Sequence, residues 1–142
     1  MGVTLSKSKV YQLPSSVEVL GAISDTRSLH MFKVLESGAL DSQTIIKRLK
    51  LTRKEYYSRM SRLTKVNLVY RRENGTYSFT SLGKEFNTAV KLMEDATNIS
   101  WKLDALDAVE RLANTSKEHM LNLIDSLIDD TKIREILRKN YM

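Results

Sequence analysis

Basic, hydroxyl and aromatic residues are interleaved along residues 52–62, and their types suit contacts with phosphates and base edges. Arginine forks onto guanine, and serine and tyrosine hydroxyls reach phosphates or bases. Tyr56, Met60 and Leu63 have the spacing of one buried helix face. The outward side chains are then Arg53, Lys54, Tyr57, Ser58, Ser61 and Arg62, with Thr52 at the start. This face predicts contact with double-stranded DNA; the alternative is that Tyr56 and Tyr57 pack and the rest is solvated.

The distribution of charge favours the same interpretation. The chain of 142 residues has a net charge of +6. Residues Thr44–Arg72 include ten basic residues and one acid, Glu55, and carry +9. Residues Glu94–Asp130 include nine acids and three bases and carry −6. A charge run on one helix is commonly a solvated face, but this run spans two predicted helices and a hairpin. We expect a positive working surface and a second half that repels polyanions.

No enzyme chemistry is predicted. His30 and His119 are far apart and lie in no HxxxH or HExxH pattern, the five glycines form no phosphate loop, and no spacing indicates a catalytic triad. We therefore expect no catalytic residues, no metal and no cofactor. The chain has no cysteine and no apolar run of the roughly 18 residues that cross a bilayer. These features favour a cytoplasmic protein without a membrane span.

Capping patterns define three helices in the basic half. The first predicted helix begins at Asp25, an N-cap residue type, and ends at Gly38. The second begins at Asp41 and carries Ile45, Ile46 and Leu49. The third begins at Thr52, where Thr52-Arg53-Lys54-Glu55 matches a capping box, and it ends at Asn67. A shorter helix near Ser15 or Ser16 is also predicted.

A β-hairpin is predicted directly after the third helix. Residues 68–72 and 77–80 read as strands around Asn74-Gly75, a strong hairpin pattern. A two-residue loop would pair Tyr70 with Phe79 over the core and Arg71 with Ser78 on the outer face. Arg71, Arg72 and Asn74 could then meet the minor groove or the DNA backbone. Alternatively, the charged tip only blunts a sheet edge.

The acidic half is predicted to be helical, because no glycine or proline follows Gly83. Breaks are expected near Asn98-Ile99-Ser100 and near Asn114, with a second capping box over Thr115–Glu118. The helix after it carries an apolar stripe: Met120, Leu121, Ile124, Leu127 and Ile128. This stripe predicts a dimer interface; the alternative is that it completes the core of each monomer. Trp101 would anchor a helix junction or line a small-molecule pocket.

These elements predict a mainly α protein: a winged helix-turn-helix of three helices and a two-stranded wing, with a C-terminal helical extension. We expect an N-terminal arm over residues 1–22, a DNA-binding domain over 23–83 and a dimerisation extension over 84–142.

Ser24–Gly83, about 60 residues, resembles winged helix-turn-helix transcription regulators of the arsenic-repressor (ArsR) and MarR type. The resemblance lies in Asp25-Thr26-Arg27, Leu51-Thr52, Met60, Leu63, Asn67-Leu68-Val69 and the wing Arg71–Tyr77. It implies binding to operator DNA as a symmetric dimer, with the helix matching Thr52–Val66 in the major groove. Asn67 stands where the family usually has glycine. The cysteine-bearing metal box of some members is absent, so metal sensing through thiolates is not implied.

Three functions stay open from the sequence. The first is a homodimeric DNA-binding transcription regulator. The second is a protein-interaction adapter on the same scaffold, and the third is a binder of structured RNA.

Overall fold

The computed structural model describes residues 13–38, 40–112 and 114–142. Residues 1–12 of the predicted N-terminal arm lie outside this part. The described chain is mainly α-helical with one two-stranded antiparallel sheet, which confirms the predicted fold class at that level. The elements are α1 (Ser16–Ala22), α2 (Thr26–Val34), α3 (Ser42–Leu49), α4 (Arg53–Lys65), β1 (Val69–Arg71), β2 (Tyr77–Phe79), α5 (Ser81–Asn98), α6 (Ser100–Glu110), α7 (Lys117–Leu127) and α8 (Thr131–Arg138).

The chain divides into two compact units, one ending at Asn87 and one comprising Thr88–Met142. We call them the N-terminal unit and the C-terminal unit. The division falls within α5, a few residues beyond the boundary at residue 83 that the glycine pattern suggested.

The helix starts of the N-terminal unit follow the predicted caps. Asp25 accepts a hydrogen bond from the Ser28 amide at the start of α2, and Asp41 accepts one from the Thr44 amide at the start of α3. Thr52 and Glu55 form the predicted capping box of α4, with both hydrogen bonds at 3.0 Å. Such caps contribute about 1 kcal/mol each.

Helix α1 lies in the stretch that the sequence assigned to an arm. Ser15 caps it through a capping box with Glu18. Val19 and Ala22 are buried, and α1 packs against α4. Residues 16–22 are therefore a packed helix of the N-terminal unit.

The hairpin register differs by one residue from the predicted one. The strands pair Val69 with Phe79, Tyr70 with Ser78 and Arg71 with Tyr77. The predicted pairs Tyr70–Phe79 and Arg71–Ser78 are wrong. Val69 is buried and Tyr70 is 47% exposed, so Tyr70 does not cover the core. Phe79 instead packs on Phe32 of α2, with ring centroids 4.9 Å apart.

A longer loop explains the shifted register. The Gly75 amide donates to the Arg72 carbonyl at 2.9 Å, and the Arg72 amide donates to the Thr76 carbonyl at 2.7 Å. Residues 73–75 therefore form a three-residue loop, with Gly75 at φ +87°. Asn74 Oδ1 accepts hydrogen bonds from the amide and the hydroxyl of Thr76, which stabilises this loop.

Two residues, Asn67 and Gly83, allow the chain to enter and leave the hairpin. Asn67 ends α4 in the left-handed region at φ 66°, as predicted. Gly83 in α5 lies so close to Leu68, the residue before β1, that a Cβ atom there would come within 2.0 Å of the Leu68 carbonyl oxygen. Only glycine fits at position 83.

The C-terminal unit is built on a separate apolar cluster. Its buried members are Leu106, Met120, Ile124, Ile128 and Ile133. The predicted breaks are confirmed, since α5 ends at Asn98, α6 begins at Ser100, and Asn114 is left-handed at φ 70°. In the described part of the chain, no helix has the length and hydropathy to span a bilayer.

Two sequence-based predictions for this unit are wrong. Ser116, not Thr115, caps α7 by accepting a hydrogen bond from the His119 amide at 3.0 Å. The Thr115 hydroxyl donates instead to the carbonyls of Val109 and Leu112, because those carbonyls at the end of α6 need donors. Trp101 is 64% exposed and does not anchor the junction before α6; the neighbouring Ile99 packs on the cluster.

Candidate nucleic-acid interface

Helix α4 is held firmly by its inner face. Tyr56, Met60 and Leu63 are completely buried, as the spacing predicted. The Ser42 hydroxyl of α3 donates to the Tyr56 hydroxyl at 3.2 Å. Burial raises the pKa of Tyr56, so this phenol stays neutral. Burying each of these side chains contributes about 1.5–3 kcal/mol to the stability of the fold, and this packing fixes α4 in position.

The outer face of α4 is open to solvent. The structure leaves every predicted contact residue on this helix exposed: Arg53, Lys54, Tyr57, Ser58, Ser61 and Arg62. Thr52 is also exposed, but its hydroxyl accepts the Glu55 amide. We call the six exposed side chains the α4 outer face. Its cations and hydroxyls can pair with phosphates and donate to base edges.

Arg53 and Tyr57 form a stacked pair on this face. The Arg53 guanidinium carbon lies 5.7 Å from the centre of the Tyr57 ring. Tyr57 in turn packs edge-on against the buried Tyr56, at 4.8 Å between ring centres. Tyr57 is 41% exposed, so only Tyr56 fits the alternative of packed tyrosines. The buried core thus supports the position of an exposed arginine through two aromatic rings.

Arg59 belongs to the basic segment but not to the outer face. Its guanidinium donates to Asp25 and, at 2.8 Å, to the Ser28 hydroxyl of α2. A second arginine makes a converse contact, since Arg27 of α2 donates to Glu55 of α4 at 2.6 Å. No pattern in the sequence predicts these pairs. The only signal was that position 59 flanks the buried stripe, next to Met60.

The two carboxylates in these pairs are stabilised in their charged form. Burial raises the pKa of Asp25, but hydrogen bonds from Ser28 and the Arg59 guanidinium outweigh it and hold the pKa below its usual range. The hydrogen bond from the Thr52 amide lowers the pKa of Glu55 more than burial raises it, and the Arg27 charge lowers it further. Both groups are anionic at neutral pH.

Two grooves border α4. One, of about 340 Å³, is lined by Ser28, Lys54, Glu55, Ser58, Arg59 and Arg62. The other, of about 390 Å³, is lined by Leu13, Pro14, Glu18, Arg62, Lys65 and Val66. Arg62 borders both grooves, and none of the described carboxylates forms an ion pair with it.

The predicted wing residues are exposed around the hairpin tip. Arg71, Arg72 and Asn74 line an open cavity of about 500 Å³ with Tyr70 and Glu73. The Arg72 guanidinium donates to the Ser78 hydroxyl at 3.2 Å. Asn74 Oδ1 is occupied by Thr76, so the side chain has a structural role in the loop.

The apolar stripe that suggested dimerisation lies largely inside the C-terminal unit. Met120, Ile124 and Ile128 are buried in the unit's own cluster. Leu127 packs against that cluster, and Leu121 is half-buried. The stripe is therefore accounted for by the monomer core, and a second copy is not needed to cover it.

Across the described ranges, no group of three or more His, Cys, Asp and Glu side chains has the arrangement of a metal site. Comparison with known proteins adds no assignment. No protein-family model, no curated protein and no solved structure matches the chain.

Proposed function

We propose that this protein is a cytoplasmic, sequence-specific DNA-binding transcription regulator that acts as a homodimer. Helices α2 to α4 and the β1–β2 hairpin would form a winged helix-turn-helix. Helix α4 would enter the major groove, and the hairpin would contact the backbone or the minor groove.

One observation carries this proposal. Helix α4 has a completely buried apolar face and an exposed face that holds three cations, two serines and a tyrosine supported by the core. Major-groove readers need this combination, because a helix must be rigid to align side chains with base edges and must present donors toward them. The exposed arginines of the wing extend the positive surface beyond α4.

We propose dimerisation because a single DNA-binding module of this size contacts only a small area of DNA. A single module of this kind buries about 600–1,000 Å² on DNA and reads few base pairs. Two copies related by a two-fold axis would double the contacts and read two half-sites. The C-terminal unit exposes the large apolar side chains Met93, Trp101, Leu112 and Ile136, which suit a contact between copies better than the buried stripe does.

Selection of bound sequences from random duplex DNA tests the proposal. We expect a palindromic motif with half-site centres about 10 base pairs, or a multiple of one helical turn, apart. Structured RNA of equal length should compete poorly. A library that shows no enrichment, or RNA that competes as well as duplex DNA, would contradict the proposal.

A further inference from the structure

Two arginine–carboxylate pairs join α2 and α4 in a reciprocal way. Asp25 caps α2 and receives Arg59 from α4. Glu55 closes the capping box of α4 and receives Arg27 from α2, at 2.6 Å. Each carboxylate therefore accepts a hydrogen bond from the backbone at the start of its own helix and another from an arginine of the other helix. We call these four residues the α2–α4 clamp.

Arg59 is the more enclosed arginine of the clamp. Its side chain is 28% exposed, against 52% for Arg27. It also donates to the hydroxyl of Ser28, which is buried at 2% exposure. A guanidinium that serves a carboxylate and a buried hydroxyl together has a fixed orientation, because its donors lie in one rigid plane. Arg59 thus ties the middle of α4 to the first turn of α2.

We propose that Arg59 is a positioning residue for base reading: it fixes the placement of α4 through Asp25 and Ser28 and makes no contact with phosphate. This inference rests on the proposed function, and it deepens that function by giving two arginines of α4, Arg59 and Arg62, different roles. Arg62, which has no carboxylate partner within the described chain, contacts the backbone, while Arg59 aligns the helix.

The two roles differ in their dependence on salt. A cation that neutralises a phosphate releases counterions, so its loss lowers the slope of log affinity against log salt by about one. A cation already neutralised by a carboxylate of its own protein contributes nothing to that slope. Its loss acts by misplacing the other side chains, so it weakens selected DNA more than random DNA.

The experiment compares Arg59→Met with its matched control Arg62→Met, since each removes one positive charge from α4. Fluorescence anisotropy gives the affinity for a selected duplex and a random duplex over a salt series. For Arg59→Met we expect an unchanged salt slope and about tenfold weaker binding to the selected duplex, the size of one misplaced base contact. For Arg62→Met we expect a slope lowered by about one on both duplexes.

The outcomes separate the inference from the proposed function. A wild-type chain that binds no duplex overturns both. A wild-type chain that binds, with Arg59→Met losing one unit of slope or binding like wild type, overturns the inference alone. If Arg59→Met fails to fold, Arg59→Lys carries the test. Lysine keeps the positive charge but replaces the planar guanidinium, whose Nη1 donates to both Asp25 and Ser28, by a freely rotating ammonium. Weakened specific binding with an intact slope is then expected, and wild-type affinity would contradict the inference.

Discussion

Arg53 and Tyr57 illustrate how a single exposed side chain is given a defined position. An isolated arginine on a helix samples many rotamers, and ordering it on binding costs free energy. Here the guanidinium lies over Tyr57, and Tyr57 leans on the buried Tyr56. The ordering is partly complete before any partner arrives.

The first prediction concerns this stacked pair. We expect Arg53→Ala to weaken binding to a selected duplex by about 1–3 kcal/mol, the range of one base contact. Tyr57→Leu should produce part of that loss, because the guanidinium loses its support. Tyr57→Phe keeps the ring and should bind like wild type. Anisotropy titration measures all three, and equal losses for Tyr57→Leu and Tyr57→Phe would show that the hydroxyl acts instead of the ring.

At the scale of elements, the close packing of α5 against the start of the hairpin requires glycine at position 83. A Cβ at position 83 would lie 2.0 Å from the Leu68 carbonyl oxygen, which is backbone and cannot move aside. At Gly21 in α1, the nearest contact is the end of the Arg62 side chain at 3.3 Å. These two helical glycines form a matched pair for testing the fold.

The second prediction follows from that contrast. Gly83→Ala should destabilise the protein by roughly 3 kcal/mol or more, because the clash forces α5 away from the hairpin. Gly21→Ala should change stability by less than about 1 kcal/mol, because a flexible side chain can swing aside while helix propensity improves. Thermal unfolding measures both changes. Equal stability of the two variants would contradict the described approach of α5 to β1.

The third prediction concerns acid. Asp25 and Glu55 have pKa values below their usual range in the folded chain, as do the capping carboxylates Glu18 and Asp41. A lowered folded pKa means that the group stabilises the fold at neutral pH and that this contribution is lost as protons bind. We expect stability to fall as the pH drops below about 5 and to keep falling through the folded pKa values.

Thermal melts between pH 7 and pH 3 measure that loss. The double variant Asp25→Asn, Glu55→Gln should be less stable than wild type at pH 7, and its stability should vary less with pH. A variant whose stability falls as steeply as that of wild type would show that these two carboxylates do not carry the effect.

Local rules predicted the elements well where the deciding contacts are close in sequence. The caps at Asp25, Asp41 and Thr52 depend on partners three residues away, so the sequence contains them. The hairpin register was not predictable in this way, because Asn74-Gly75 fits both a two-residue and a three-residue loop. The bond from Thr76 to Asn74 and the packing of Phe79 on Phe32 decide between the two.

In the candidate site, too, the features that depend on nearby residues were predictable, and those that depend on distant residues were not. Exposure of the α4 outer face follows from helical period alone, and it was predicted. The inward turn of Arg59 depends on Asp25, 34 residues away in sequence, and the period does not reveal it. The apolar stripe at Met120–Ile128 was predicted from helical period as a dimer interface. Whether another copy or the same chain covers it depends on how α6, α7 and α8 pack, which the period does not show.

At the scale of the whole molecule, two units with opposite charge divide the work that we propose. The basic segment, residues 44–72, lies in the N-terminal unit. The acidic segment, residues 94–130, lies in the C-terminal unit. A unit with surplus negative charge is repelled by DNA, so it suits contact between copies better than contact with the duplex.

The fourth prediction separates the dimer surface from the monomer core. Trp101→Glu should shift the protein from dimer to monomer while leaving thermal stability at low concentration nearly unchanged, because Trp101 is 64% exposed. Ile124→Ala should lower the free energy of unfolding by about 2–5 kcal/mol, because Ile124 is buried. Sedimentation velocity and thermal melts measure the two effects. A Trp101→Glu variant that sediments like wild type would contradict this location of the interface.

Two variants that each lose three positive charges test whether α4 binds DNA. One replaces Arg53, Lys54 and Arg62 of the α4 outer face by glutamine, and the other replaces the exposed Lys117, Lys132 and Lys139 of the C-terminal unit. Affinity for a selected duplex is measured for both at one salt concentration. We expect the first variant to lose binding by a factor of about 100 or more and the second to bind nearly as wild type does. Equal losses in the two variants, or retained binding in the first, would contradict this expectation.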